Sequence, residues 1–136
     1  MPDKKISALT AVTSLDGTEP LAVVQSSETK KATVSQVLTG QIVTESGTTR
    51  TLSATDNGKI IYCTSGSAVT ITCAAGLGVG FNCTILQGGA GKVTVAAGGQ
   101  TLVSYSSLFS TMGQYAVISL VCPVANTFVA AGNLGV

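Results

Sequence analysis

The sequence predicts an all-β protein, with a small antiparallel β-sandwich or barrel of jelly-roll type at residues 51–136 and an extended arm at residues 1–50. Charge is concentrated in the arm, since the longer part carries only Asp56, Lys59 and Lys92. From residue 59 onward, short runs of β-branched and alternating side chains are separated by glycine-rich turns, as in sandwiches and barrels. No segment after residue 51 has the apolar period of a helix.

The arm holds too few apolar side chains to fold as an independent domain. Asp16-Gly17 and Pro20 are turn signals, and residues 40–50 are rich in Thr and Ser, which is typical of a linker. We therefore expect the arm to become ordered on a partner surface or between subunits. The candidates for docking are its apolar side chains, for which internal packing is the alternative role: Ile6, Leu9, Leu15, Leu21, Val23 and Val34.

The body contains the strand signals in order. Residues 68–73 (AVTITC) alternate strictly, which places Val69, Ile71 and Cys73 on one buried face. Residues 81–86 (FNCTIL) alternate again, and the glycine cluster at 87–91 predicts a hairpin that leads into residues 92–96. Residues 104–113 are predicted as a loop with a helical turn. The remaining predicted strands are residues 59–63, 101–103, 115–122 and 127–131.

The small number of charged residues in the body indicates that much of its surface is buried against other molecules. Charged residues usually make up about a quarter of a soluble domain. Threonine and asparagine on the outward faces give a polar surface from which no charge has to be removed on contact. We therefore expect the body to associate with copies of itself.

Composition argues against binding to nucleic acid or insertion into a membrane. A net charge of +1 provides no basic surplus for phosphates. The uncharged stretch 115–131 includes Pro123, Asn126 and Thr127 and falls short of the roughly 20 apolar residues of a membrane span. The N-terminus is not followed by an apolar run, so a secretory signal is not expected.

The residues needed for catalysis are also missing. Without histidine, Ser-His-Asp and Cys-His mechanisms are excluded, and the body has no second carboxylate to pair with Asp56. Residues 87–92 differ from a phosphate loop, because Leu86 replaces its first glycine and Val93 its Ser or Thr. We predict no enzyme, no cofactor and no catalytic or metal-binding residue.

The cysteines contain no Cys-x-x-Cys pair. Buried free thiols are the favoured interpretation, and a disulfide or an all-cysteine zinc site are the alternatives. They are Cys63, Cys73, Cys83 and Cys122.

Segments of both parts resemble virion appendage proteins of tailed bacteriophages, a group of capsid decoration proteins, head fibres and short tail fibres. In the body the similar segments are residues 52–59 (LSATDNGK), 78–81 (GVGF) and 127–134 (TFVAAGNL). The chain differs from long fibres, because it lacks repeats, coiled-coil heptads and a distal receptor-binding domain. In the arm the similar segments are residues 5–9 (KISAL), 15–21 (LDGTEPL), 23–25 (VVQ), 29–34 (TKKATV) and 36–38 (QVL).

The resemblance implies a homotrimeric virion protein that is assembled in the host cytoplasm. It would dock by its arm on the major capsid protein or another virion protein, as a decoration protein or short head fibre. The alternative is a tail fibre or tail adaptor that contacts host-surface glycans through residues 65–67 and 104–111. Its aromatic contacts would come from Tyr62, Tyr105 and Tyr115.

Overall fold

The structure, a computed structural model, describes residues 20–25, 28–33 and 41–136. The chain divides into two units, Met1–Thr39 and Gly40–Val136. In the first unit, β1 (Pro20–Gln25) pairs antiparallel with β2 (Glu28–Thr33). Leu21 and Val23 lie in β1, and the other proposed docking residues lie outside the described residues: Ile6, Leu9, Leu15 and Val34. Their docking role stays a prediction.

The second unit, called the body below, is all-β in its described part, as predicted. Its only helical segments are short 3-10 turns at Ala54–Asp56 and Tyr105–Ser107. Its strands are β3 (Ile42–Glu45), β4 (Thr49–Thr51), β5 (Ile60–Cys63), β6 (Val69–Cys73), β7 (Asn82–Gln87), β8 (Val93–Ala97), β9 (Thr101–Ser104), β10 (Ser110–Thr111), β11 (Val117–Val124), β12 (Thr127–Gly132) and β13 (Leu134–Gly135).

The first six strands of the body form a parallel stack of three rungs, β3–β4, β5–β6 and β7–β8. Strands β3, β5 and β7 pair in parallel within one sheet, and β4, β6 and β8 do so within another. The chain therefore passes from one sheet to the other and back, and each rung adds one strand to each sheet. This arrangement is a solenoid-like stack, and it replaces the antiparallel sandwich or barrel that the sequence predicted.

The later strands complete both sheets with mixed pairing. In the six-stranded sheet, of order β3-β5-β7-β11-β12-β9, β11 is antiparallel to β7 and to β12, while β9 is parallel to β12. In the five-stranded sheet, of order β13-β10-β8-β6-β4, β10 is antiparallel to β8 and to β13. Within the body the antiparallel expectation holds for the pairs made by β10, β11 and β13, and it fails for β9, which pairs in parallel with β12.

The glycine cluster after β7 is a corner between the two sheets, and the predicted hairpin is wrong because β7 and β8 lie in different sheets. This corner packs on the corner of the previous rung. A Cβ atom on Gly91 would lie 1.9 Å from the carbonyl oxygen of Ser67, and one on Gly89 would lie 2.1 Å from that of Ser65. Glycine is required at both positions because the two backbones touch.

The core lies between the two sheets, and its members confirm the predicted inward residues of 68–73 and 81–86. Phe81 packs edge-on against Phe128, with ring centroids 6.2 Å apart. All four cysteines are free and buried, as the favoured interpretation required. Burial of each large apolar side chain contributes roughly 1.5–3 kcal/mol. The buried side chains include Leu52, Ile61, Val69, Ile71, Ile85, Val93, Val95, Ile118 and Leu120.

The body begins before the predicted boundary at 50/51. Residues 40–50, expected to be a linker, supply β3 and most of β4, the first rung of the stack. Within this rung Val43 packs on the core. The backbone of β3 and β4 is held by parallel pairing with β5 and β6, which a Thr- and Ser-rich composition does not reveal.

Candidate interaction surface

The outer surface of the six-stranded sheet, called the apolar face below, is formed by the side chains that alternate with the buried ones. Ile61 and Cys63 point into the core, so Ile60 and Tyr62 point outward from the same strand. The same reasoning places aliphatic or small uncharged residues on the other strands. They are Ile42, Thr44, Asn82, Thr84, Leu86, Val117, Ser119, Val121, Thr127, Val129, Ala131, Thr101 and Val103.

One half of the apolar face contains a cleft of about 280 Å³, lined by Ile42, Ile60, Tyr62, Leu86 and Tyr115. The side chain of Ile42 is 66% exposed and that of Tyr115 is 71% exposed. The backbone of Tyr115 has a φ of 66°, which is uncommon for a residue other than glycine. Its N–H donates a 2.7 Å hydrogen bond to the carbonyl oxygen of Gln87, and this bond fixes the tyrosine beside the cleft.

The other half of the apolar face carries a row of valines, called the valine row below. Val121 of β11 lies opposite Val129 of β12, which in turn lies opposite Val103 of β9. Val121 and Val103 are about 40% exposed, at 39% and 41%. The row is therefore an aliphatic strip on the sheet that is partly in contact with solvent.

The outer surface of the five-stranded sheet, called the threonine face below, differs from the apolar face. Parallel register places Thr49, Thr70 and Thr94 side by side, and antiparallel pairing adds Ser110. The hydroxyls of Thr94 and Ser110 are 2.8 Å apart and hydrogen-bonded. A second row on the same face contains Thr51 and Thr72, which lie opposite each other in the parallel pairing. This face is uncharged but hydrated through its hydroxyl groups.

Charge is almost absent from the strands of the body. Within the described residues they contain only Glu45, in β3, and Arg50, in β4. These two residues bind each other, with Arg50 Nη1 3.1 Å from Glu45 Oε2, and Arg50 Nη2 lies 2.6 Å from Asp56 Oδ1. The Arg50–Glu45 pair joins the first strands of the two sheets. Both residues lie at inward positions, opposite Ile71 and Cys63, so the described strands place no charged side chain on either outer face. Exposed Lys92, just before β8, borders the threonine face.

The environment of Asp56 keeps it ionised. Burial alone would raise the pKa of Asp56, but hydrogen bonds from the Ser53 N–H and from Arg50 outweigh it and lower that pKa below its ordinary value. Burial would likewise lower the pKa of Arg50, yet its bonds to Asp56 and Glu45 raise it. The network stabilises the first rung.

The buried thiols have no features of a reactive site. Burial raises the pKa of Cys63 and Cys73 to about 11 and that of Cys83 to about 12, so these thiols are protonated at neutral pH. Within the described part of the chain, no group of three or more Cys, Asp or Glu side chains is arranged to hold a metal ion.

The structure brings only two of the three tyrosines together. Tyr62 and Tyr115 share the cleft of the apolar face. Tyr105 is 94% exposed and lies with Ser106 at a separate groove, beside Leu108 and Leu134. The three rings therefore do not form one stacking platform.

The apolar face was not predicted from the sequence, although the strand sequences contain a signal for it. Strand β6 (VTITC) alternates between apolar residues and threonine, whereas β5 (IIYC) and most of β11 (VISLVCPV) are apolar at successive positions. A continuous apolar run is typical of a strand that is covered on both faces.

In comparisons with known proteins, no family model and no curated protein matches this sequence. Among the residues that the structure describes, no helix has the length and apolarity needed to cross a bilayer.

Proposed function

We propose that the chain is a bacteriophage virion structural protein, a homotrimeric capsid decoration protein or short head fibre. The observation that carries this proposal is that the described strands of the body place no charged side chain on either outer face, because Glu45 and Arg50 lie inward and pair with each other. A surface of this kind is suited to permanent contact, because no charged group has to leave water on assembly. The resemblance of both units to phage appendage proteins supports the same function.

The first unit would attach the protein to the particle. It holds the docking residues proposed above, and the partner would be the major capsid protein or another virion protein. The second unit would project as the body of the homotrimer. This division follows the two units of the chain, with the boundary at Thr39 and Gly40.

The position on the particle is tested by the copy number of this chain relative to the major capsid protein in purified virions, measured by quantitative mass spectrometry. A decoration protein gives a ratio near one or one-third. A ratio of a few per cent or less would place the protein at the tail or a unique vertex and would overturn the decoration assignment.

Docking is tested separately, by adding purified chain to particles that lack it. The full chain should sediment with the particles, and a chain that begins at Gly40 should not. Full-length protein carrying Thr70→Lys is the matched control, because this change adds charge to the body and leaves the first unit intact. If the chain beginning at Gly40 bound as well as the full chain, the first unit would not be the anchor.

The alternative is a tail fibre or tail adaptor that contacts host-surface glycans. The observation that favours it is Tyr105, whose ring is 94% exposed at a groove of about 300 Å³ and is available for stacking on a sugar. Binding to a glycan array that is lost in Tyr105→Ala but retained in Tyr115→Ala would support this alternative. If the full chain bound no glycan on the array, this alternative would be excluded.

A further inference from the structure

The apolar face is large enough to require an explanation. Neighbouring strands lie about 4.8 Å apart and residues rise about 3.3 Å, so the sheet presents roughly 25 Å by 15 Å of surface. The largest apolar patch of a typical monomer covers about 300–600 Å² and is often functional, so this face is of the size at which a contact has to be considered. Ile42, Val121 and Val103 are each more than one-third exposed on this face.

The two outer faces differ in what contact would require. On the threonine face, burial of Thr49 or Thr70 would remove hydroxyls from water, and each would need a new hydrogen-bond partner. On the apolar face, burial of Ile42, Leu86 or Val129 removes aliphatic surface from water, which is favourable by about 25 cal/mol per Å². Contact there would also cover the hydroxyls of Thr84 and Ser119, but these stand among apolar neighbours and not in a continuous row. The apolar face is therefore the stronger candidate for a permanent contact.

The same face contains two features that complement each other. The cleft lies on the β3, β5 and β7 half, and the valine row lies on the β11, β12 and β9 half. The cleft is lined by Ile60, Tyr62 and Leu86 and is suited to aliphatic side chains, and each copy of the chain carries such side chains in the valine row. Neither half carries an outward charge that would repel a second copy.

We propose that the apolar face is the contact surface between copies of this chain, with the cleft of one copy receiving the valine row of another. This inference rests on the proposed homo-oligomer. It goes further because it selects the apolar face, pairs the cleft with the valine row, and leaves the threonine face exposed to solvent.

The test measures the mass of the full-length chain by light scattering over a dilution series. Leu86→Lys places a charge in the cleft, and Val129→Glu places one in the valine row. Each change should weaken self-association by about 100-fold or more, because an unpaired charge would be buried. Thr70→Lys is the matched control on the threonine face and should leave the mass unchanged.

The double variant Leu86→Lys with Val129→Glu tests the pairing of the two halves. If the cleft meets the valine row, the opposite charges face each other and association recovers at least tenfold over either single variant. If cleft meets cleft, the two lysines repel and the double variant is no better than the singles. That result would overturn the assigned pairing.

Folding is checked by far-UV circular dichroism and urea unfolding, since positions 86 and 129 point outward and accept a charged side chain in the single chain. A wild-type chain that stays monomeric would overturn both this inference and the proposed homo-oligomer. A chain whose apolar face is covered by its own residues 1–39 would also stay monomeric, and it would overturn both in the same way. An oligomer broken by Thr70→Lys and not by Leu86→Lys would overturn this inference alone.

Discussion

The two outer faces of the body are built by the same three rungs and yet differ in chemistry. On the five-stranded sheet the outward positions are threonines, such as Thr49, Thr70 and Thr94. On the six-stranded sheet the outward positions of these rungs hold large apolar side chains, among them Ile60, Tyr62 and Leu86, together with Thr44 and Thr84. Because the threonine face shows that this stack accepts polar side chains on its outside, the fold itself does not require the apolar ones. This difference is the reason for proposing the apolar face, and not the threonine face, as the contact between copies.

The largest loss of stability is expected from large-to-small changes in the core that the two sheets share. Ile85 of the six-stranded sheet and Ile71 of the five-stranded sheet are both fully buried. We expect Ile85→Ala and Ile71→Ala each to lower the free energy of unfolding by about 3–4 kcal/mol, through lost burial and the cavity left behind. Urea unfolding measures both. A much smaller loss for one of them would mean that the two sheets do not depend equally on one core.

The next largest effect is expected at the ion pairs that join the two sheets. Asp56→Asn leaves Arg50 without one of its two carboxylate partners, and we expect a loss of about 3 kcal/mol at pH 7. Thr51→Ser, at an exposed outward position of β4, is the control and should change stability by less than about 0.5 kcal/mol.

The pH dependence follows from the lowered pKa of Asp56. A carboxyl group whose pKa is lower in the folded state stabilises the fold fully above its unfolded pKa of about 3.9. That contribution is lost as the pH falls through the lower, folded pKa. The stability difference between wild type and Asp56→Asn should therefore persist from pH 7 to about pH 5 and shrink below about pH 4. A constant difference across this range would contradict the assigned ionisation.

The smallest expected effects come from exchanging single residues between the two faces. Val129→Thr gives the apolar face a threonine, and we expect it to weaken self-association roughly fivefold, because about 1 kcal/mol of apolar burial is lost. Thr70→Val makes the reverse change on the threonine face and should leave the dissociation constant within about twofold. Sedimentation equilibrium measures both. Equal effects of the two exchanges would remove the distinction between the faces.

Local features of this protein were readable from the sequence. Period-two alternation in residues 68–73 and 81–86 identified two strands and their buried sides, since successive side chains in a strand point to opposite faces. The glycines at 87–91 marked a change of direction. The absence of charge after Lys59, except at Lys92, indicated surfaces suited to contact.

The candidate surface was only partly predictable. Its uncharged character followed from composition, but the cleft brings together Ile42, Leu86 and Tyr115 from separate parts of the chain. Ile42 belonged to a predicted linker, and its place in the first rung depends on pairing with Ile60. Tyr115 owes its position to a left-handed backbone and a hydrogen bond to Gln87.

Composition and period-two alternation are enough to predict that the body is made of β-strands, which side chains of several strands are buried, and that its strands carry almost no charge. How these strands pair depends on contacts between segments that are distant in the chain. A glycine-rich turn after a strand serves equally well for a hairpin or for a corner between sheets, because both need close backbone approach and small residues. The choice at residues 87–91 depends on the contact of Gly91 with the backbone of Ser67, and this contact exists only when one rung packs on another.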